Sequence, residues 1–357
     1  MTRLPSHPLR LAAAAGLAVW LGGCANLGYY VQAVSGQMDI LRRARPIEEI
    51  TADPQADQAL KRRLAGVARL REFASRELKL PDNRSYASYV DLERPYVVWN
   101  VFATPELSTQ PRQWCFIGAG CVSYRGFFSK EEAERFAEQL GSEGDDVYVA
   151  GVPAYSTLGW FNDPVLNTFI GYPETELARL IFHELAHQVV YLPDDSIFNE
   201  SFATAVELEG VSRWLDRNGT PGQRSAFEAE QQRRAAFTAL VLKCRERLEE
   251  LFASGDSDAG KRAAKARIFG ELRQEFARIK AADGGFSRYD RWIAQRINNA
   301  HLASVATYTQ LVPAFRALLA QQNGDMGRLY EAVRELGRQP QAERTSRLQS
   351  AGHSRME

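Results

Sequence analysis

Two hydrophobic textures divide the chain. Over residues 57–80 the apolar positions Leu60, Leu64, Val67, Leu70 and Phe73 fall at three- and four-residue steps. That spacing predicts a helix with one buried face, which Pro81 is expected to end. Over 86–124 the pattern changes to short runs rich in β-branched and aromatic residues, predicting strands near 89–92, 96–102 and 121–124. A short helix is predicted to 140, opened by Ser129 as N-cap with Glu132 at the capping-box position, and a further strand over 146–154. Beyond Pro173 helical periodicity dominates, predicting helices over 174–191, 197–217, 223–253, 259–282, 287–301, 303–321 and 325–336. The pair 223–253 and 259–282, joined by a polar turn at 254–260, predicts a long charged helical hairpin. Such a hairpin is either a packed element without chemistry or a lid or partner surface. Residues 340–357 are polar and expected to fray. The class expected is α+β, predominantly helical.

The N-terminus reads as an export signal. Arg3 and Arg10 precede the apolar stretch 11–21, which is too short to span a bilayer comfortably. It ends in Leu21-Gly22-Gly23-Cys24, which resembles a bacterial lipobox, with cleavage before Cys24 and a diacylglyceryl group on its thiol. Ala25 after the cysteine, where an Asp is absent, points to the outer membrane, facing the periplasm. The expected organisation is a signal peptide over 1–23, a lipidated tether over 24–45 leading into an amphipathic helix, one domain over 46–339, and a polar tail over 340–357. In an exported chain the short loop from Cys115 to Cys121, with two glycines and an alanine, favours a disulfide over a redox or metal pair. Cys244 lies among apolar helical positions and is expected to be a buried small hydrophobe.

Composition adds exclusions. Apolar residues make up 45% and charged residues 25%, values of a folded protein. Lys+Arg and Asp+Glu number 44 each, so no global field draws the chain to nucleic acid. No Gly-rich phosphate loop and no basic-aromatic interleave is present, so neither nucleotide nor nucleic acid is an expected partner.

Histidine is scarce, with five in the chain, and two of the five fall in Phe182-His183-Glu184-Leu185-Ala186-His187, an H-E-x-x-H pattern on a predicted helix. His183 and His187 are one turn apart, so both imidazoles leave the same face and can reach one ion. Glu184, turned about 100° from His183, stands beside the ion without ligating it, where it can deprotonate water. A catalytic zinc needs a third protein ligand and an open position. Glu200 in Phe198-Asn199-Glu200-Ser201 offers it, because the intervening Leu192-Pro193-Asp194-Asp195 can turn the chain into an antiparallel helix. His301 is the rival third ligand. Glu207, seven residues past Glu200, returns to the same face and is placed to accept a hydrogen bond from the outer nitrogen of a ligating imidazole.

The pairing of H-E-L-A-H-Q with N-E-S-F-A-T-A-V-E resembles the gluzincin metallopeptidases of the alanyl-aminopeptidase type, though the spacer here is shorter. The whole chain is more similar to a bacterial lipoprotein family described as predicted zinc aminopeptidases. The likeness rests on Gly28-Tyr29-Tyr30, the short Cys loop, residues 155–161 with Asp163-Pro164, and Asn298-Asn299-Ala300. The resemblance implies a zincin-like catalytic domain, with a small sheet before the metal-binding helix and the long hairpin after it. It also implies one Zn2+ and a peptide substrate.

Hydrolysis further needs a donor to the oxyanion that develops on the carbonyl. Tyr308 and Tyr155 are the candidates, and by analogy with zincins the segment 155–163 lines the substrate cleft. The expected function is a lipid-anchored zinc peptidase acting as an aminopeptidase, or as an endopeptidase on envelope proteins. The alternative is a non-catalytic envelope lipoprotein with a structural or binding zinc site, which the retained Glu184 disfavours.

Overall fold

The computed structural model describes residues 28–116, 120–286 and 288–353. The chain divides into two compact units, the first ending at Ala44 and the second beginning at Arg45. In the first, the described residues form helix α1 over 28–43, while the expected signal peptide and Cys24 lie outside the described residues. Among the described residues no helix is long and apolar enough to cross a membrane.

The second unit opens with β1 (Arg45–Pro46), α2 (Ile47–Ala52) and α3 (Gln58–Leu78). Asp57 caps α3 by accepting a hydrogen bond from the Leu60 amide, and Leu64, Val67, Leu70 and Phe73 are buried along the predicted stripe. The helix ends earlier than Pro81, at Lys79, whose backbone is left-handed with φ 57°. Three small sheets follow among the described residues. In one, β2 (Ser88–Val90) pairs antiparallel with β1 and parallel with β8 (Val165–Leu166). In another, β3 (Val98–Pro105) lies between β6 (Arg125–Phe127) and β7 (Asp145–Val152), antiparallel to both. The third is a hairpin of β4 (Trp114–Phe116) and β5 (Gly120–Val122), in which Cys115 faces Cys121 and a disulfide joins them. Ser129 caps α4 (Lys130–Ser142) through the Glu132 amide, but its hydroxyl donates to Glu131, so the predicted box is half formed.

Helices make up the rest, with α5 (Asn167–Ile170) leading into the pair α6 (Glu174–His187) and α7 (Ser196–Asn218). These two pack side by side along their length. At Gly210 a Cβ would lie 2.6 Å from the Phe182 ring and 2.7 Å from Leu78, so glycine there is what lets α7 close on α6 and α3. The predicted hairpin is α8 (Pro221–Ala253) and α9 (Asp258–Ala282), with a core of its own built on Phe237, Val241, Leu248, Phe269, Leu272 and Phe276. Cys244 is buried in it with a free thiol.

The C-terminal helices differ from the periodicity. In place of one helix over 287–301 there is α10 (Asp290–Ile293) and then irregular chain, because Trp292 and Ile293 turn into the hairpin core while Asn298 caps the next helix. In place of one helix over 303–321 there are α11 (Asn299–Thr309) and α12 (Val312–Gln321). Pro313 in the first turn of α12 cannot continue a preceding helix, and the Leu311 amide donates to Ser201 at the break. After α13 (Met326–Gly337), residues expected to fray form α14 (Gln341–His353), with Leu348 and Arg344 buried. The structure is α+β and predominantly helical, with small sheets ahead of the helical region.

Candidate metal centre

Helix α6 starts at Pro173 with Glu174 and Glu176 in its first turn and His187 in its last, a charge order that suits the helix dipole. Leu177, Ile181 and Leu185 are buried on one side of the helix and His183 and His187 on the opposite side, so α6 is enclosed all round from Leu180 to His187. The connection to α7 is held by Asn199. Its side chain accepts from the Leu192 amide at 2.8 Å and donates to the Leu192 carbonyl at 2.7 Å. Asp195 caps α7 through the Phe198 amide, so Glu200 enters one turn into the helix, aimed back at α6.

Three donors meet there. His183 Nε2 lies 3.2 Å from His187 Nε2 and 3.2 Å from Glu200 Oε2, and His187 Nε2 lies 3.4 Å from the same oxygen. Among the described residues this is the group of His, Cys, Asp and Glu able to hold a metal ion, and all three members are buried. The spacing tests well. A tetrahedral ion with bonds of roughly 2.0–2.1 Å puts its ligand atoms about 3.3 Å apart. Two imidazole Nε2 atoms beside one carboxylate oxygen make a donor set that suits a divalent cation, and His183, His187 and Glu200 fit one. Glu184 is buried beside them.

The electrostatics follow from burial among charges. Burial works against a charged His183, but the hydrogen bonds to Glu200 and Glu207 outweigh it and lift its pKa to about 10. Burial likewise works against Glu200 as an anion, yet the two histidines hold it down to about 2. Glu184 goes the other way: burial raises it, with Glu200 and Glu207 adding to the rise and the histidines opposing.

Each sequence candidate has a place. Glu207 Oε2 lies 2.9 Å from His183 Nδ1, on the nitrogen opposite the meeting point. The Tyr308 ring, from α11, stacks over His183 with centroids 6.2 Å apart. The Tyr155 ring meets Phe128 edge-on, and Asp163 and Arg94 are among the charges that act on it. The segment 155–163 is an irregular loop pinned by Asp163, which accepts from the Thr157 amide at 3.1 Å and from its hydroxyl at 2.7 Å. His301 is excluded as the third ligand. It completes the capping box of α11 with Asn298 and stacks on Tyr148 at 4.1 Å. The Cys115–Cys121 hairpin abuts the turn before α7, where the Cys121 amide donates to Asp194 at 2.7 Å.

Sequence reasoning missed three contributors. Asn199 stands in the sequence only as a neighbour of Glu200, with nothing local to show that it staples the α6–α7 turn. Tyr124 donates to the second oxygen of Glu200 at 3.5 Å, and only its place at the end of a predicted strand hinted at it. Arg179, one turn before His183, bonds the far oxygen of Glu207 at 2.9 Å. Its spacing from His183 was a usable signal.

A predominantly helical α+β fold that gathers two histidines and a glutamate from adjacent helices defines a protein with a potential metal centre. The model of a family described as "Putative aminopeptidase" matches residues 28–348, and the chain belongs to that family. No curated protein and no solved structure matches it.

Proposed function

We propose that the chain is a zinc-dependent aminopeptidase, held to the outer membrane on its periplasmic side by lipid on Cys24. The observation that carries the activity is the convergence of His183, His187 and Glu200, the donor types of a catalytic zinc, with Glu184 beside the first ligand on the same helix. Zinc held there would supply a Lewis acid that polarises water and the scissile carbonyl. Glu184 takes the proton of the attacking water and delivers it to the departing amine. Its burial supports this role, because a carboxylate raised above its ordinary pKa is the better proton acceptor near neutral pH. Glu207 holds the His183 ring so that Nε2 faces the ligand side. Tyr308 donates its hydroxyl to the carbonyl oxygen as negative charge develops there. Family membership supports a peptide substrate.

The test measures zinc content and cleavage of a peptide library with free and blocked N-termini, for the wild type and for Glu184→Gln. The expected result is one zinc per chain in both proteins, with cleavage of free N-termini lost in the variant by about 10²–10⁴-fold. Equal cleavage of blocked peptides makes it an endopeptidase. A zinc-loaded wild type that cleaves neither set is a binding protein instead. The anchor is tested separately, by membrane fractionation of Cys24→Ala.

A further inference from the structure

The hairpin of α8 and α9 stands outside the site, yet a line of charges runs from it to a ligand. Glu207 accepts from both His183 and Arg179, with Oε2 at 2.9 Å from the imidazole and Oε1 at 2.9 Å from the guanidinium. Arg179 also faces Glu176, one turn earlier on α6, at 3.4 Å. Glu176 in turn is gripped by Arg234 of α8, whose Nη2 lies 2.8 and 3.0 Å from its two oxygens. Arg288, just past α9, reaches Glu176 at 3.1 Å and Glu230 of α8 at 3.0 Å. The series is largely withdrawn from solvent toward the ligand and more open at its outer end: the side chain of Glu207 is 4% exposed, Arg234 18%, Glu176 23%, Arg179 29% and Arg288 37%. A fully exposed ion pair contributes little, but charges withdrawn from water interact strongly enough to set one another's geometry.

We propose that Arg234 is a positioning residue for the ligand His183, so that the hairpin sets how firmly the site holds its ion. The proposal rests on the metal-centre reading above. Arg179 lies between two carboxylates, and its hold on Glu207 depends on how far Glu176 is satisfied from elsewhere. With Arg234 present, Glu176 has a guanidinium on both oxygens, and Arg179 stays at 3.4 Å from it while bonding Glu207 at 2.9 Å. Without it, Glu176 keeps only Arg288 on one oxygen, draws Arg179 further from Glu207, and weakens the hold of Glu207 on the His183 ring. His187 has no such support, since its Nδ1 is buried without a hydrogen-bond partner. The ligand set is therefore held through His183, and the charges behind it determine its orientation.

The experiment titrates the full chain with Zn2+ against a chelating dye and records the visible bands of bound Co2+. It compares the wild type, Arg234→Gln, Arg234→Lys, Glu207→Gln and the double variant Glu207→Gln/Arg234→Gln. Partners beyond the ligands change metal affinity about 10–100-fold, so Arg234→Gln is expected to weaken Zn2+ by roughly tenfold and shift the Co2+ bands. Arg234→Lys, which keeps the charge and loses the fork, should fall between it and the wild type. In the Glu207→Gln background the Arg234 substitution should change affinity by less than about twofold, because its route to His183 is already cut. An affinity and spectrum unchanged in Arg234→Gln overturn the proposal. So does an effect of the same size with and without Glu207, which would make Arg234 a structural brace only. A wild-type chain that binds neither ion overturns the metal reading itself, a distinct result. Should Arg234→Gln fail to fold, the Arg234→Lys comparison with and without Glu207→Gln decides on the same criterion.

Discussion

Arg344 donates two hydrogen bonds, at 3.0 and 2.6 Å, to a single oxygen of Asp195, and the other oxygen of that carboxylate caps α7 at the Phe198 amide. Both side chains are buried, so the C-terminal helix is fastened to the start of the helix that carries Glu200.

Arg344→Ala should therefore be costly. It leaves a buried carboxylate without its cation, a change that typically costs about 3–5 kcal/mol. Urea unfolding should show a loss near the lower end of that range, since the backbone amide still serves Asp195. A loss below about 1 kcal/mol would put the pair in the class of surface ion pairs and contradict its burial.

A second prediction concerns acid. Burial, with Arg273 adding to it, pushes His301 down to about 4 from an ordinary 6.5. Between those pH values the unfolded chain binds a proton that the folded chain does not. Stability is therefore complete above pH 6.5 and falls as pH drops through the window, by about 3 kcal/mol for one proton. His301→Gln keeps a side chain able to serve the capping box and removes the titration. Unfolding free energies of that variant should lose less between pH 6.5 and 4 than those of the wild type. Parallel curves for the two proteins would refute the assignment.

What the sequence made legible follows from range. Local spacing located α3, α6, α7 and both arms of the hairpin, because each buries a face at a three- or four-residue step. It also placed His183, His187 and Glu200 correctly relative to one another, since the turn between them is short and held by Asn199. The misses came from distant partners. The break between α11 and α12 depends on Ser201, 110 residues earlier, accepting the Leu311 amide. The helix α14 holds together because Arg344 finds Asp195, 149 residues away, a contact invisible in a polar stretch read by itself. His301 has the chemistry of a ligand but not the place of one, because its neighbour Asn298 caps α11 and His301 completes that capping box.

Metal should also act on stability. An ion that binds the folded site and not the unfolded chain stabilises by about 2.7 kcal/mol when present at a hundred times its dissociation constant. Melting of the wild type should rise with Zn2+ and fall with a chelator, while Glu200→Gln, which keeps the shape of the side chain and removes its charge, should respond to neither. A zinc-dependent rise of equal size in Glu200→Gln would move the third ligand elsewhere.

Tyr308 gives the sharpest test of the chemistry. Burial, reinforced by Glu200, Tyr124 and Glu184, keeps its hydroxyl far above the ordinary phenol pKa, so it remains a donor throughout the working range. Its ring lies over His183, which positions it beside the ligands without making it one of them. Tyr308→Phe removes the donor and retains the stacked ring, so zinc affinity should be unchanged. A hydroxyl that meets the carbonyl oxygen only as charge develops contributes to the transition state, and its loss should lower kcat about 10²–10³-fold with KM little altered. If KM rises and kcat holds, Tyr308 binds the substrate without stabilising the oxyanion. The donor must then be sought at Tyr124, whose hydroxyl already reaches Glu200.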